Sequence, residues 1–391
     1  MKSPRPRVFL LLVIALIGCS DRLSEFEVGV AGDGKLDVAL ENIRNRYGLP
    51  ALGAVLIKNG EIVETGAVGF RSAGSTAPVT TGDRWHLGSI GKSMTATLAG
   101  VLVEEGVIEW DTTIGKVFPD LAERARPEYA DVRLVDLLSH TAGLPTDAGQ
   151  VPSFSVFRSS TEPTREHRRQ WAAEILAMAP ESARGAHSYS NANYVVAGAM
   201  LEELTGELWE DLMQRTVFEP LSMTSTGFGA PGTVGEVPDQ PRGHTRRDGK
   251  WVAYQPVATA DNPPAIGPAG TVHTSLGDFA RYMAAHLAGA RGERGLVTAE
   301  TFDRLHAPAP GIGYALGWSV GEKRWAGGRT LQHFGSNQVW YASVWIAPER
   351  NFAMLTVTNA GGDGAREGTD VAIRALIDRL DAAEERRFDS P

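Results

Sequence analysis

The chain carries a serine and a lysine at a spacing that suits nucleophilic chemistry. Ser89 and Lys92 stand three residues apart, and Leu98, Val101 and Leu102 continue the segment with the apolar spacing of a helix. Positions i and i+3 on a helix have Cβ atoms about 5–6 Å apart, so the amine can reach the hydroxyl without help from tertiary structure. A lysine that burial and the helix dipole keep neutral could activate the serine. The pair alone is a weak signal of catalysis, because a serine at a helix start and a solvated lysine one turn later have the same spacing.

The amino-terminal residues are typical of a secretory signal. Three basic residues precede an apolar run, 8–17, that is too short to span a bilayer as a mature helix. The end of this signal, predicted over 1–18, reads Leu16-Ile17-Gly18-Cys19 and resembles the lipobox of bacterial lipoproteins. That resemblance implies that Cys19, the chain's only cysteine, is lipidated and becomes the mature amino terminus. Ser20 next to it favours the outer membrane, with the protein facing the periplasm.

Composition limits the partners of the protein. The 391 residues include 42% hydrophobic ones, enough for a large core, and the formal net charge is −9. Loss of the basic signal would make the chain more acidic still. Such a surface repels nucleic acid and anionic lipid headgroups. We therefore expect no nucleic-acid partner, and we expect membrane attachment to depend on the amino-terminal lipid.

The pattern of elements predicts an α/β (α+β) fold. An amphipathic helix over 36–47 precedes a β-hairpin, 51–58 and 61–70, that turns at Asn59-Gly60. Further strands are predicted near the carboxyl end, followed by a closing helix: 314–320, 329–333, 339–347, 352–358 and 369–383. We expect an antiparallel sheet in which the hairpin pairs with the last strands, flanked by the first and last helices.

The predicted domain boundaries follow from this pattern. Residues 19–32 are polar and form a tether, and 33–388 form one domain. Its α/β half comprises 33–80 and 310–385, and 81–309 is inserted as a mostly helical half. The Gly- and Pro-rich stretch 229–268 is either a substrate-side loop or a small excursion, with a turn at Asp248-Gly249.

Two further motifs follow the Ser89 segment in a definite order. They are Tyr189-Ser190-Asn191 and His333-Phe334-Gly335, and the runs 137–145 and 314–318 support them. Together with S-x-x-K at Ser89, they resemble the serine β-lactamase and penicillin-binding protein superfamily over residues 35–380. The likeness is greatest to the branch of class C β-lactamases, D-aminopeptidases, D-alanyl-D-alanine carboxypeptidases and esterases.

The resemblance implies roles for the matched residues. Ser89 would attack a carbonyl carbon and become acylated, while Lys92 and Tyr189 would share the work of general base, in a division the sequence leaves open. Asn191 would hold Lys92 and bind a substrate amide. These roles describe a hydrolase that needs no cofactor and acts on a small molecule or peptide.

The third motif implies an oxyanion site and departs from the class C pattern. The backbone N–H groups of Ser89 and Ser336 would hold the oxyanion, and Gly335 would let substrate lie close to the strand. True class C β-lactamases carry lysine where this chain has His333. A histidine is only partly charged near neutral pH, so we expect it to attract a substrate carboxylate weakly and to donate a hydrogen bond instead.

Other chemistries fit the sequence less well. His86, His140 and His273 lack the close pairing of a zinc site, so we predict no metal. Leu87 stands where a G-x-S-x-G elbow needs glycine, which excludes an α/β-hydrolase site. We therefore predict a serine hydrolase that acts on a D-amino-acid peptide or a small ester. The alternatives are a class C type β-lactamase and a lipoprotein that binds penicillin or peptidoglycan without turnover.

Overall fold

The computed structural model describes residues 28–121, 124–146, 151, 157 and 165–388. The signal and lipidation predictions, with Cys19, lie outside the described residues. Within the described ranges, no helix combines the length and apolar character needed to cross a bilayer.

The strands and helices alternate in blocks along the chain. The strands are β1 (Ala51–Lys58), β2 (Glu61–Gly69), β3 (Arg84–His86), β4 (Gly227–Phe228), β5 (His244–Arg247), β6 (Lys250–Ala253), β7 (Val272–Ser275), β8 (Ser319–Lys323), β9 (Gly328–Ser336), β10 (Tyr341–Ala347) and β11 (Phe352–Thr358). The helices are α1 (Leu36–Tyr47), α2 (Gly91–Glu104), α3 (Ile114–Val117), α4 (Leu134–Leu138), α5 (Arg165–Ala177), α6 (Asn191–Thr205), α7 (Trp209–Met213), α8 (Gly267–Gly270), α9 (Leu276–Gly289), α10 (Ala299–His306) and α11 (Asp363–Phe388).

The main sheet joins the two ends of the chain. Its six strands run in the order β2-β1-β11-β10-β9-β8, and each neighbouring pair is antiparallel. The hairpin turn places Asn59 and Gly60 at φ 55° and 83°, as a type I′ turn requires. Strand β1 pairs with β11, so the predicted pairing of the first hairpin with the last strands is confirmed.

The strand predicted over 314–320 is wrong, because β8 begins only at Ser319. The chain turns before that residue: the Ala315 N–H donates to the Trp318 carbonyl at 2.7 Å, and Gly317 adopts φ 80°. A Cβ on Gly317 would lie 2.5 Å from Cα of Ser93, so this turn presses directly against α2. Packing on the helix that carries the lysine thus prevails over the strand propensity of the segment.

Each face of the main sheet has its own apolar core. Terminal helices α1 and α11 cover one face, where Leu40, Leu56 and Leu376 are buried. The other face packs against the inserted segment, which buries α2 on nearly all sides. Burial of a helix all round explains why its apolar residues show little amphipathic pattern. It also takes the polar residues in the first half of α2 out of water, namely Lys92, Ser93, Thr95 and Thr97.

The inserted segment contains small sheets as well as helices. Strands β3, β7 and β4 form one of them, and β5 pairs with β6 through a turn at Asp248 and Gly249, which have φ 49° and 76°. The turn predicted at these two residues is confirmed. Strand β3 ends at His86, two residues before the 3₁₀ turn Gly88–Ile90 that leads into α2. The three-stranded sheet therefore fixes the entry to this helix.

Candidate active site

Ser89 lies in a 3₁₀ turn at the entrance to α2, and Lys92 is in the first turn of that helix. The Leu87 N–H donates to the Val272 carbonyl of β7 at 2.8 Å, which anchors the turn to the small sheet. The Lys92 Nζ atom lies 3.0 Å from Ser89 Oγ. The predicted contact between hydroxyl and amine is therefore present, although the serine precedes the regular helix.

Lys92 is completely buried, and its amine has three oxygen neighbours. Besides Ser89 Oγ, these are Asn191 Oδ1 at 2.8 Å and the Ala269 carbonyl oxygen at 2.6 Å. Burial lowers the pKa of the Lys92 amine well below its usual value, because no carboxylate offsets the loss of water. Burial therefore favours the neutral form of the amine.

The three neighbours also decide where the lone pair of the amine points. A neutral amine has two N–H donors and one lone pair. The Ala269 carbonyl and the Asn191 carboxamide oxygen can only accept, so they occupy both donors. The lone pair is left facing Ser89, whose hydroxyl can then donate its proton to Lys92. This is the arrangement that a general base needs before it deprotonates a nucleophile.

The motif containing Tyr189 and Asn191 meets this pair from the start of α6. The Ser190 hydroxyl caps the helix by accepting from the Ala192 N–H at 3.1 Å, which places Asn191 at its first position. The Lys92 Nζ atom lies 5.0 Å from the Tyr189 ring centre, and the phenol hydrogen-bonds with Ser89. Burial raises the pKa of this phenol above its ordinary value, so Tyr189 stays protonated.

His140 positions the Tyr189 ring, a role that sequence reasoning missed. Its imidazole is fully buried, with its ring centre 4.3 Å from that of Tyr189. Nδ1 lies 3.3 Å from the Ser190 backbone nitrogen and 2.9 Å from Asn193 Nδ2. Because Nδ1 accepts from these groups, the proton resides on Nε2. The run 137–145 pointed to this segment, but no spacing rule connected it to Tyr189.

His333 departs from the expectation of a partly charged imidazole with a hydrogen bond to donate. Nδ1 lies 2.6 Å from the Phe334 carbonyl oxygen, which can only accept, so the proton is on Nδ1. Nε2 therefore accepts from the Tyr314 hydroxyl at 3.0 Å. Burial lowers the pKa of His333 to about 3. The expectation is wrong because it treated the side chain as solvated, whereas it is a neutral ring whose donor is already used.

Gly335 has a different function from the predicted one. A Cβ at this position would lie 1.8 Å from the Leu87 carbonyl oxygen. The space that was attributed to substrate is thus filled by the turn that carries the nucleophile. In the turn that carries the nucleophile, a Cβ on Gly88, which has φ 51°, would lie 2.4 Å from the nitrogen of Ser336 at the end of β9. These two glycines let the Ser89 turn and the end of β9 touch, which brings the predicted oxyanion donors together.

Gly335→Ala is expected to damage both stability and catalysis. The added methyl must push β9 away from Leu87, at a cost of about 1–3 kcal/mol in the free energy of unfolding. It should also lower kcat about 100-fold, because displacement of a catalytic group by ~1 Å has that effect. Urea denaturation and ester hydrolysis measure the two quantities. Gly277→Ala is the control, because a Cβ there meets no atom within 4 Å; equal losses in both variants would contradict this account.

The site thus unites residues from three distant parts of the chain. Ser89, Lys92, Tyr189 and Asn191 converge directly, and His333 lies nearby with its ring centre 6.4 Å from that of Tyr189. Across the described part of the chain, no group of three or more His, Cys, Asp or Glu side chains is arranged to hold a metal ion.

The family of the protein follows from comparison with known proteins. The chain belongs to the β-lactamase family, whose model, described as "Beta-lactamase", matches residues 36–378. The superfamily resemblance stated from the motifs is confirmed. The match covers the main sheet and the inserted segment together.

Individual relatives carry names of hydrolases and penicillin-binding homologues. The chain is 24% identical over 385 residues to "Unguisins hydrolase ungD" of Aspergillus violaceofuscus, covering 91% of this chain and 66% of that protein, slightly under two thirds of its length. The octameric penicillin-binding protein homologue from Pyrococcus abyssi has TM-score 0.70 and 23% identity, over 89% of this chain and 78% of its own. A D-stereospecific amidohydrolase from Streptomyces sp. has TM-score 0.67 and 22% identity, over 86% of this chain and 98% of its own. The structures share the predicted α/β fold.

Proposed function

We propose that the protein is a serine hydrolase that forms an acyl-enzyme on Ser89 and releases the acyl group to water. The observation that carries the proposal is the completely buried Lys92 amine, which lies 3.0 Å from the Ser89 hydroxyl and whose pKa is lowered by burial. A protein that only binds its ligand gains nothing from a lysine kept uncharged beside a serine. Burial of such an amine lowers the stability of the folded protein, and a catalytic role explains why the amine is nevertheless buried.

Acylation begins with proton transfer from Ser89 to Lys92. The Ser89 oxygen then bonds to the carbonyl carbon of an amide or ester, and the carbonyl π electrons move to oxygen. The N–H groups of Ser89 and Ser336 stabilise that oxyanion. Because Asn191 holds Lys92 through its carboxamide oxygen, the amine keeps its position as it becomes charged.

The leaving group needs a proton, which Tyr189 can supply. Its phenol stays protonated and hydrogen-bonds with Ser89, so its proton is available beside the nucleophile for the departing nitrogen or oxygen. As the oxyanion collapses, the bond between the carbonyl carbon and the leaving group breaks, Tyr189 donates its proton to that group, and the charged Lys92 returns a proton to Tyr189. Water then attacks the acyl-enzyme with Lys92 as its base, the bond between the carbonyl carbon and the Ser89 oxygen breaks, and Ser89 regains its proton from Lys92. We thus assign the base to Lys92 and the relay to Tyr189.

The substrate class follows from the charge of the site. The neutral His333 ring provides no positive charge where class C β-lactamases, by resemblance, carry lysine. We propose a substrate whose scissile amide or ester needs no neighbouring carboxylate, such as an internal D-amino-acid peptide bond or a small ester. The name of the D-stereospecific amidohydrolase with this fold supports the amide.

His333→Lys tests that assignment of substrate class. An added cation near the site should raise kcat/KM for nitrocefin, which carries a carboxylate, relative to p-nitrophenyl acetate by about tenfold or more. His333→Gln is the matched control, because its side chain is polar and uncharged. An unchanged ratio in the lysine variant would contradict the proposal that charge at this position selects the substrate.

Trapping of the intermediate tests the proposed function itself. Residues 20–391 are incubated with p-nitrophenyl acetate, a D-Ala-D-Ala peptide, nitrocefin and a fluorescent fluorophosphonate. We expect a burst of one p-nitrophenolate per chain, and fluorophosphonate that maps by peptide mass to Ser89. Label on another residue would overturn the assignment of the nucleophile. Turnover of nitrocefin alone would indicate a class C type β-lactamase, and stable acylation without turnover would indicate a penicillin-binding lipoprotein.

We also propose that the enzyme acts as an exported protein anchored by lipid on Cys19. The proposal rests on the apolar run 8–17 and the lipobox-like end of the signal. Cys19→Ser should move the protein from the membrane fraction to the soluble fraction, because the acyl chains supply the affinity for the bilayer. Fractionation followed by immunoblotting measures this, and membrane retention of the serine variant would contradict the anchor.

A further inference from the structure

A buried histidine and a buried aspartate lie directly behind the proposed oxyanion donors. The side chain of His86 is fully buried and that of Asp261 is 4% exposed, and His86 Nε2 lies 2.9 Å from Asp261 Oδ2. The mechanism above does not use either residue. Asp261 falls in the Gly- and Pro-rich stretch 229–268, where the sequence showed no pattern.

His86 holds the residue that precedes the nucleophile. The Gly88 N–H donates to His86 Nδ1 at 3.0 Å. Because Nδ1 accepts, the ring proton is on Nε2 and is donated to Asp261. The imidazole thus links the Asp261 carboxylate to the Gly88 backbone by two hydrogen bonds, and Gly88 directly precedes Ser89.

The other oxygen of the Asp261 carboxylate binds the residue that follows Ser336, whose N–H is the second proposed oxyanion donor. Asn337 Nδ2 donates to Asp261 Oδ1 at 2.8 Å, and Asn337 directly follows Ser336. The Asn262 side chain, next along the chain, donates to the Gly270 carbonyl at 2.9 Å. A Cβ on Gly270 would lie 2.9 Å from the Gly88 carbonyl carbon, so this segment also touches the nucleophile turn.

We propose that His86, Asp261 and Asn337 form a positioning unit that sets the separation between the Ser89 and Ser336 backbone N–H groups. The proposal rests on the proposed function, because it assumes that these two groups hold the oxyanion. One carboxylate joins the turn before Ser89 to the end of β9, two segments that are 247 positions apart at Ser89 and Ser336. Catalysis by preorganised donors requires their spacing to be fixed before the charge develops.

Asp261→Asn replaces an acceptor by a donor in this unit. The carboxylate accepts on both sides, whereas an amide must present N–H to either His86 or Asn337, each of which is already donating. We expect kcat for p-nitrophenyl acetate to fall about 10- to 100-fold, with KM changed by less than about threefold. Phenylboronic acid forms a tetrahedral adduct on serine, so its Ki should rise by the same factor by which kcat/KM falls.

Two further variants make the test specific. Asp261→Asn combined with Asn337→Asp again places a donor opposite an acceptor at the contact between positions 261 and 337. The double variant should have a kcat about tenfold higher than that of Asp261→Asn alone. Asp278→Asn is the control, because the Asp278 carboxylate is equally buried, accepts from the Ser225 N–H and hydroxyl at 2.6 Å, and makes no contact with the proposed unit. It should keep kcat and the boronate Ki.

Each result bears on the proposal separately from the proposed function. All rates are divided by the number of chains that fluorophosphonate labels at saturation, and the wild-type burst tests the Ser89 chemistry on its own. A kcat within twofold of wild type, or a fall in kcat with unchanged boronate Ki, would overturn the positioning role. If Asp261→Asn does not fold, Asn337→Ala decides the matter, because its side chain is only partly buried; the same loss in kcat and rise in Ki are expected.

Discussion

Ser89→Ala is expected to lower kcat for p-nitrophenyl acetate by at least about 10⁴-fold, because removal of a serine nucleophile elsewhere has an effect of that order or larger. Fluorophosphonate labelling should disappear entirely. The variant should keep its fold, since the Ser89 hydroxyl caps no helix and contacts only the site. Circular dichroism and thermal unfolding check the fold, and stopped-flow absorbance measures the missing burst.

Ser93→Ala is the matched control for this loss. Ser93 lies one helical turn beyond Ser89 on α2, and its buried hydroxyl donates to the Ile90 carbonyl at 2.8 Å. The same hydroxyl oxygen is removed close to where the Ser89 turn joins α2, so any general weakening of this junction appears in both variants. We expect the control to be labelled and to retain its burst. Labelling that persists in Ser89→Ala would remove Ser89 as the nucleophile.

The residues that could be predicted were those connected by local geometry or by a motif. Ser89 and Lys92 are neighbours because three residues separate them, so the contact needs no knowledge of the rest of the fold. Tyr189, Asn191 and His333 came only from the resemblance, since nothing in their own surroundings indicates the site. The hairpin and the closing helix were predicted from turn chemistry and periodicity, which are local as well.

The parts that could not be predicted depend on contacts between distant segments. Ala269 accepts from Lys92 through its backbone carbonyl, which any residue type could supply. Asp261 lies in a stretch without periodicity, and its partners are more than 70 positions away. The neutrality of His333 follows from burial and from Tyr314, neither of which a sequence motif reports. The sequence thus predicted which candidate groups the fold brings together, but not what sets their charge.

Lys92→Met is expected to lower kcat/KM by about 10²–10⁴, the usual contribution of a general base. Methionine is close to lysine in length and apolar, so it fills the buried space without an amine. In the wild type, kcat/KM should fall at acid pH as the amine gains a proton, tenfold per unit below its lowered pKa. The residual activity of the variant should lack this dependence. Hydrolysis rates measured from pH 5 to 9 test both statements.

The same variant should change how stability depends on pH. The unfolded chain protonates Lys92 below about pH 10.4, whereas burial keeps the native amine neutral down to a much lower pH. Between these two pKa values the unfolded state binds one proton more, so the free energy of unfolding rises with pH by up to ~1.4 kcal/mol per unit. Methionine removes this contribution, while the buried histidines titrate in both proteins.

Urea denaturation at several pH values between 6 and 9 therefore isolates the buried amine. The free energy of unfolding of the wild type, minus that of Lys92→Met, should increase steadily over this range. Lys58→Met is the control, because the partly exposed Lys58 amine is paired with Glu384 at 2.6 Å and lacks the complete burial of Lys92. Its difference from the wild type should stay flat. A flat difference for Lys92→Met as well would mean that the native amine is charged, and Lys92 could then not serve as the base that activates Ser89.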